Sequence, residues 1–381
     1  LIGQFLLESL VFSLIAMGAF SITWNLVAPN RKTKDGLAGI HLEPAFIPAL
    51  AASLGMVVLG NLGTVRMIFQ GYQKLAAPGG IISEGSILTR WVWAAQGFVK
   101  VLQGATLPYS LGDWYWIPSR AIPAPGDVEP ITEFPLFTVL YGDLHAHLLA
   151  LPVTLLALSA FIGLVLGKAK WQNRLGGIGW LLLAGLSVGA LRPTNTWDFP
   201  PYLVLGVVAL AYAFNRYFQP GLDIPGMAKG ISARLAALLS DLPLSTLRLL
   251  AFLGSAVLFT ILAFVLFQPY SNWYALGYTK VALWKGTHTP LTSYLTHWGL
   301  FLFLIVTWLF TETISWLAET PLSSLRRLSP YRVWMQSAAV LLITLILGLT
   351  WMQIRIAWFV LLLAAWAAIL LLKPALSDQK R

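Results

Sequence analysis

The sequence predicts an all-α, polytopic transmembrane helix bundle of about nine spans, with a long extracytoplasmic loop bearing interfacial helices. Three observations lead there. Hydrophobic residues make up 57% of the chain, charged residues only 10%, and the mean hydropathy is +0.74. A soluble domain carries about 25% charged residues, so there are too few charges here to solvate a globular surface. Apolar runs of roughly 20 residues, long enough to cross the hydrocarbon core of a bilayer, recur along the chain. Lys and Arg collect in alternate loops, as the positive-inside rule requires.

In chain order the candidate spans are 4–26, 45–64, 145–167, 177–192, 200–216, 248–268, 297–317, 333–352 and 356–373. Each is bounded by Pro, Gly or charge clusters. Gly185 and Gly189 in the fourth form a small-xxx-small pattern suited to close helix packing, although such spacing also arises by chance in a Gly-rich chain. With the C-terminus cytoplasmic, the inner segments carry Arg31 to Lys34, Lys168 to Arg174, Arg216 to Arg248, Arg326 to Arg332 and Lys373 to Arg381. These short segments hold most of the 25 Lys and Arg residues. The chain is therefore expected in a cell membrane, multi-pass, with residue 1 extracytoplasmic. Residue 1 is Leu, with no signal-peptide start before the first apolar run, so the natural protein is expected to extend upstream.

Four stretches organise the chain: residues 1–64 with two spans, an outer loop at 65–142, a motif region at 143–217 with three spans, and 218–381 with four. In the outer loop, residues 88–103 read as an amphipathic interfacial helix, with Trp91, Trp93, Phe98 and Val101 apolar and Arg90, Gln96 and Lys100 polar. The 17 Trp and 12 Tyr suit the two headgroup levels. The absence of Cys excludes disulfides and thiolate metal sites. A net charge of +10 belongs to the inner loops of such a protein, and no nucleic-acid partner is expected.

The chemistry-bearing residues gather on the outer side. Asp143, His145 and His147 permit two geometries: one shared face of an extended segment, or Asp143 and His147 one helical turn apart. Either suits a divalent metal or a carboxylate–imidazole pair for proton transfer. A plain helix start with Asp143 as N-cap is the alternative. The second cluster runs from Arg192 through Asn195 and Trp197 to Asp198 and Pro200. Asp198 suits an N-cap ahead of Pro, while Arg192, Asn195 and Trp197 suit an anionic headgroup with a sugar stacked on the indole. Arg120, Arg192, Lys280 and Lys285 are the outer cations available to a phosphate; each also suits a headgroup contact. Glu8 and Glu312 are carboxylates inside spans, and such residues are functional candidates by default. For Glu312, solvation or pairing with Arg326 is the simpler account.

Trp116-x-x-Ser119-Arg120-x-Ile122, Ile131-x-Glu133-Phe134-Pro135, Tyr141-Gly142-Asp143-Leu144-His145-Ala146-His147 and Asn195-Thr196-Trp197-Asp198-Phe199-Pro200 together resemble the uncharacterised YYY-type prokaryotic membrane proteins. The likeness is close over about 40–210 and holds by helix type beyond. That family is grouped with the GT-C superfamily, which implies sugar transfer from a polyprenyl-phosphate donor at the outer leaflet. On that reading Asp143 is the base or metal-orienting group, and His145 and His147 bind metal or phosphate. Arg120 and Arg192 hold the phosphate, and Asp198 shares the cleft. GT-C enzymes carry a key acid in their first outer loop, which this topology places upstream of residue 1. A structural or assembly subunit contacting other membrane subunits is the main alternative. A transporter fits less well, because the polar clusters lie at helix ends rather than mid-span.

Overall fold

The computed structural model describes residues 2–28, 44–124, 128–142, 144–167, 174–217, 242–274, 286–320, 326, 329–354 and 356–371. Regular structure among them is helical. Two compact units are each assembled from discontinuous pieces: Leu1–Leu59 with Pro135–Val281, and Gly60–Phe134 with Ala282–Arg381.

The first unit contains α1 (Ile2–Val27), α2 (Phe46–Val57), and then, in chain order after Gly60–Phe134, six more helices. Gly60–Phe134, in the second unit, supplies α3 (Gly63–Ala76), α4 (Ile87–Leu102) and α5 (Asp113–Ser119). The first unit resumes with α6 (Pro135–Tyr141), α7 (Ala146–Val165), α8 (Arg174–Thr194), α9 (Phe199–Tyr217), α10 (Leu244–Val265) and α11 (Gln268–Trp273). The second unit closes with α12 (Leu291–Glu319), α13 (Arg332–Trp351) and α14 (Ala357–Leu371). Among the described residues, five helices are long and apolar enough to cross a membrane: Leu6–Val27, Ala146–Val165, Leu244–Val265, Leu291–Glu319 and Ser329–Trp351. Helices α8 and α9, at 21 and 19 residues, have comparable length.

The 45–64 span does not form as one helix. Helix α2 stops after 12 residues, about 18 Å of rise against a hydrocarbon core of about 30 Å. The chain then leaves helical geometry until Gly63. Asn61 holds the start of α3: its Nδ2 donates to the carbonyls of Pro118 (2.9 Å) and Thr132 (2.6 Å), and its Oδ1 accepts from Gly63 N–H (2.7 Å). Leu62 N–H donates to Thr296 O of α12 at 2.6 Å. A Cβ on Gly60 would run into the Phe134 ring. Hydropathy registers the apolar residues here but not these backbone demands.

Helix directions in the first unit can be read from side-chain pairings. Helices α1 and α7 run parallel, with Gly18 against Leu155 and a small core of Val11, Ile15, Val57, Leu148 and Leu155. Helix α2 runs back along α1, with Ser53 Oγ donating to Ala16 O (2.9 Å) and Phe46 meeting Phe20. Helices α7 and α9 are parallel, since Gly206 abuts Phe161 and Tyr217 donates to Val165 O (2.8 Å). Trp180 Nε1 of α8 reaches Ala160 O at 3.2 Å. The larger core, around Phe161, Leu164, Leu191, Leu210 and Phe259, fills the space between α7, α8, α9 and α10.

Gly185 and Gly189 do pack closely. A Cβ on Gly185 would stand 2.8 Å from Leu262 Cβ, and one on Gly189 2.6 Å from Ala263 O. Backbones that approach this closely gain dispersion contacts that bulkier residues would forfeit.

In the second unit α3 and α4 form a hairpin that packs closely at Gly97, where any Cβ would strike the Tyr72 backbone. The polar side chains of α4 turn toward the hairpin. Arg90 donates to Gly85 O (2.9 Å) and Ser83 O (3.0 Å), and Lys100 to Leu75 O (2.7 Å). Leu88, Trp91, Val92, Phe98, Val99 and Leu102 are left exposed along one side. Of the residues expected on the apolar face, Trp91 and Phe98 lie on this stripe, whereas Trp93 and Val101 are half-buried. Helices α12 and α14 are parallel, with Tyr294 near Phe359 and Trp366 Nε1 donating to Thr313 Oγ1 at 2.8 Å.

Gly185→Ala and Gly189→Ala should each destabilise the first unit by about 1–3 kcal/mol through overpacking. Gly163→Ala and Gly254→Ala, where nothing lies within 4 Å, should be neutral or stabilising by up to about 1 kcal/mol. Thermal unfolding in one detergent compares the four; equal melting points would refute the close approach.

Candidate functional site

Helix α6 ends at Gly142, whose φ of +74° suits glycine because a Cβ in that region is crowded. Its N–H bonds back to Thr138 O (3.1 Å) and Val139 O (3.2 Å), closing the helix end. Leu144 and His145 are not helical, and α7 begins at Ala146 with His145 extended as the preceding residue (φ −76°, ψ 152°). A helix running through 143–147 therefore does not form. The N-cap position of α7 falls on His145, and its side chain makes no cap hydrogen bond. The rings of His145 and His147 stack with centroids 5.4 Å apart and planes at 23°. Asp143 lies outside the described residues.

Glu8 joins this turn from α1. It is only 6% exposed, and its Oε1 lies 3.9 Å from where a Cβ on Gly142 would stand. The sequence marks Glu8 as a carboxylate within a span, but only the parallel packing of α1 on α7 puts it beside the Gly142 motif. Among the described residues no three His, Asp or Glu side chains gather as a metal site; the Asp143, His145 and His147 set includes one residue beyond them.

The second motif is a tight turn between α8 and α9. Asp198 N–H donates to Asn195 O (3.0 Å), Asn195 Nδ2 donates to Asp198 Oδ2 (3.0 Å), and Tyr202 N–H returns to Asp198 O (3.2 Å). Pro200 and Pro201 sit in the first turn of α9, where their missing N–H groups cost nothing. Trp197 is 70% exposed. Tyr202 lies beside Thr154 of α7. Since α7 and α9 are parallel and both begin beside a motif, the two turns belong to one end of the bundle.

Arg192 is committed to packing. Its guanidinium lies 4.8 Å over the Phe264 ring and 5.6 Å over Phe199. Nη2 donates to Ser271 Oγ at 2.6 Å and Nη1 points at Phe264 O at 3.5 Å. It thereby clamps α8 to the end of α10 and to α11.

In the second unit the Trp116–Ile122 and Ile131–Pro135 motifs pair with each other. Thr132 N–H donates to Ser119 O (2.9 Å), and Thr132 Oγ1 donates to Pro118 O (2.8 Å) while accepting from Ala121 N–H (3.0 Å). Arg120 forms an ion pair with Glu133 at 3.3 Å, with side chains 18% and 5% exposed, and covers the Trp116 ring at 4.8 Å. One residue on, Ala121 O faces Arg66 of α3, whose Nη2 lies 3.4 Å away. Burial pulls the Arg66 pKa below its ordinary value. Arg66 is absent from every motif in the sequence, and its only local signal is a lone charge just after the Asn61–Gly63 break. Lys280 and Lys285 lie outside the described residues.

The two motif pairs lie within residues 116–200, whereas the family match covers most of the chain. The profile of an uncharacterized membrane protein family, DUF2298, matches residues 6–380. The chain belongs to this family. No curated protein matches it, and no solved structure does. Membership covers the C-terminal helices of this DUF2298 chain as well as the motif region. It identifies a membrane protein and carries no reaction with it.

Breaking the Arg120–Glu133 pair should be costly. Glu133→Ala strands a largely buried guanidinium and should lose about 3–5 kcal/mol, whereas Arg120→Met with Glu133→Leu should recover most of it. Denaturant unfolding of the three proteins checks this; a Glu133→Ala variant of unchanged stability would refute a structural ion pair.

Proposed function

We propose that this DUF2298 chain is a membrane-embedded glycosyltransferase acting at the extracytoplasmic face on a polyprenyl-phosphate-linked sugar. One observation carries the reading. Buried Glu8, the Gly142 turn, the stacked His145 and His147, and the Asn195–Asp198 turn belong to the same end of the parallel helices α1, α7 and α9. Carboxylates and imidazoles at the end of apolar helices suit proton transfer to or from a substrate whose reactive end rides at headgroup level. The alternation of Lys and Arg along the chain supports placing that end outside, and the helix directions are compatible with it.

On this reading an acceptor hydroxyl oxygen attacks C1 of the sugar. The C1–O bond to the phosphate breaks, and polyprenyl phosphate leaves with the electron pair. The hydroxyl proton passes to a carboxylate, Asp143 or Asp198, with His145 close enough in sequence to relay it. Asp143, His145 and His147 would hold a divalent cation, whose charge would stabilise the departing phosphate. Trp197, exposed beside Asn195, offers a face for the sugar. Arg192 contributes by fixing the α8–α9 turn, since its charge is already held between two rings.

A non-catalytic subunit is the second reading. It is favoured by α13, of which no part of the apolar window is buried in the chain, leaving a full helix face for a partner or lipid. Co-purification of a stoichiometric membrane partner, with no turnover, would favour it.

The transferase reading predicts release of polyprenyl phosphate from polyprenyl-phosphate glucose or mannose by the purified chain in lipid nanodiscs. Asp143→Asn and His145→Ala should each slow release by about 100-fold or more, in the range of lost acid–base catalysis, with unchanged thermal unfolding. Folded variants that turn over at the wild-type rate would refute it.

A further inference from the structure

A helix pair built for water buries its apolar side chains in the seam and turns polar ones outward. On the α4 side, the α3–α4 pair does the reverse. Gln73 Nε2 of α3 donates to Arg90 O at 3.1 Å, Arg90 donates to the Gly85 and Ser83 carbonyls, and Lys100 Nζ donates to Leu75 O. The polar reach of these side chains is spent on the backbone of the pair itself. Leu88, Trp91, Val92, Phe98, Val99 and Leu102 are exposed instead. At 3.6 residues per turn these six positions fall within an arc of about 120°, and Thr89, Gln96 and Lys100 run along one edge of it. Leu88 at one end is 75% exposed and Leu102 at the other 71%, so the face runs the length of the helix. Continuous apolar faces of that extent are uncommon on surfaces that meet water.

A second observation is where the pair is attached. Helix α12 belongs to the same unit and is long and apolar enough to cross a membrane. Its 29 residues rise about 44 Å, against a hydrocarbon core of about 30 Å. The surplus stands at the two headgroup levels, and Thr296 lies in the second turn, close to one of them. Leu62 N–H, just ahead of α3, donates to Thr296 O at 2.6 Å, and a Cβ on Gly299 would stand 2.9 Å from Leu62 Cδ1. Helix α3 therefore starts near the level where α12 leaves hydrocarbon. Phe69, less than two turns into α3, meets Trp91 edge-on at 4.8 Å and keeps the α4 face near that level. The 16 residues of α4 rise only about 24 Å, too little to span. Charge agrees with this placement: residues 63–104 carry Arg66, Lys74, Arg90 and Lys100 against Glu84, a net charge of +3, which anionic headgroups attract.

We propose that this face of α4 is a membrane-docking surface, seated at the boundary between headgroups and acyl chains in the leaflet where α12 begins. The six large side chains turn toward the acyl chains, and the edge of Thr89, Gln96 and Lys100 meets headgroups and water. Trp91 suits that boundary, because its ring is apolar and its N–H is a donor. The inference does not rest on the transferase reading and holds whatever reaction the first unit performs.

The chain has no cysteine, so single positions can be spin-labelled in the otherwise unaltered protein. Val92→Cys, Val99→Cys and Leu102→Cys are each labelled with a nitroxide, with Gln96→Cys as the reference. The full chain is placed in nanodiscs of phosphatidylcholine and phosphatidylglycerol, and collision with oxygen, which partitions into lipid, is compared with collision with a water-soluble nickel chelate. The oxygen-to-nickel ratio at the three apolar positions should exceed that at Gln96→Cys several-fold, corresponding to a depth of about 5–10 Å. Labels on the apolar face as open to nickel as the reference would overturn the proposal. So would labels shielded from both reagents, which would mean that protein covers the face. All four positions are exposed, so labelling spares the packing, and any two folded variants from the face decide the outcome.

Discussion

The constraint on which the rest depends is that a chain in hydrocarbon must satisfy its own backbone. Helices do this internally, so the informative places are where helices stop. Three such breaks, at 58–62, at Gly142 with Leu144 and His145, and at 195–198, each have a device attached. Asn61 bonds to two carbonyls and an N–H, with Leu62 N–H sent to Thr296 O. Gly142 closes α6 with a positive φ, and Asn195 with Asp198 closes the α8–α9 turn. These breaks are also where the polar side chains of the candidate sites collect, because breaking a helix near a membrane requires polar partners.

Between the breaks, stability comes from shape more than from sequestering oil from water, because lipid tails are as apolar as the helices. Glycines set how near two backbones come. Gly18, Gly185, Gly189 and Gly206 each receive a neighbouring side chain or backbone at close range. Arg192, stacked between Phe199 and Phe264, does the corresponding work where α8 ends and water begins. The charge stays useful there as a donor to Ser271 rather than as a free cation.

The all-helical, membrane-spanning character was legible in the sequence: apolar runs mark where most of the long helices lie. The break in 45–64 was not legible, because its reason lies at Pro118, Thr132 and Thr296, far along the chain. The candidate residues could be named from the sequence, but their partners could not. Asp143, His145 and His147 were visible as a motif, while Glu8 enters only through the packing of α1 on α7. Arg120 counted as an available cation until the pairing of its segment with 131–135 brought Glu133 to it. Arg66 belonged to no motif.

The exposed stripe of α4 bears on how the α3–α4 hairpin can move. Leu88, Trp91, Val92, Phe98, Val99 and Leu102 are exposed on one side of a 16-residue helix. Were lipid to cover that stripe, lifting the helix away would return its area to water at about 25 cal/mol for each Å², whereas travel within the plane of the bilayer would return none. Under that cover the hairpin rearranges cheaply as a sideways slide and at a cost as a hinged lid.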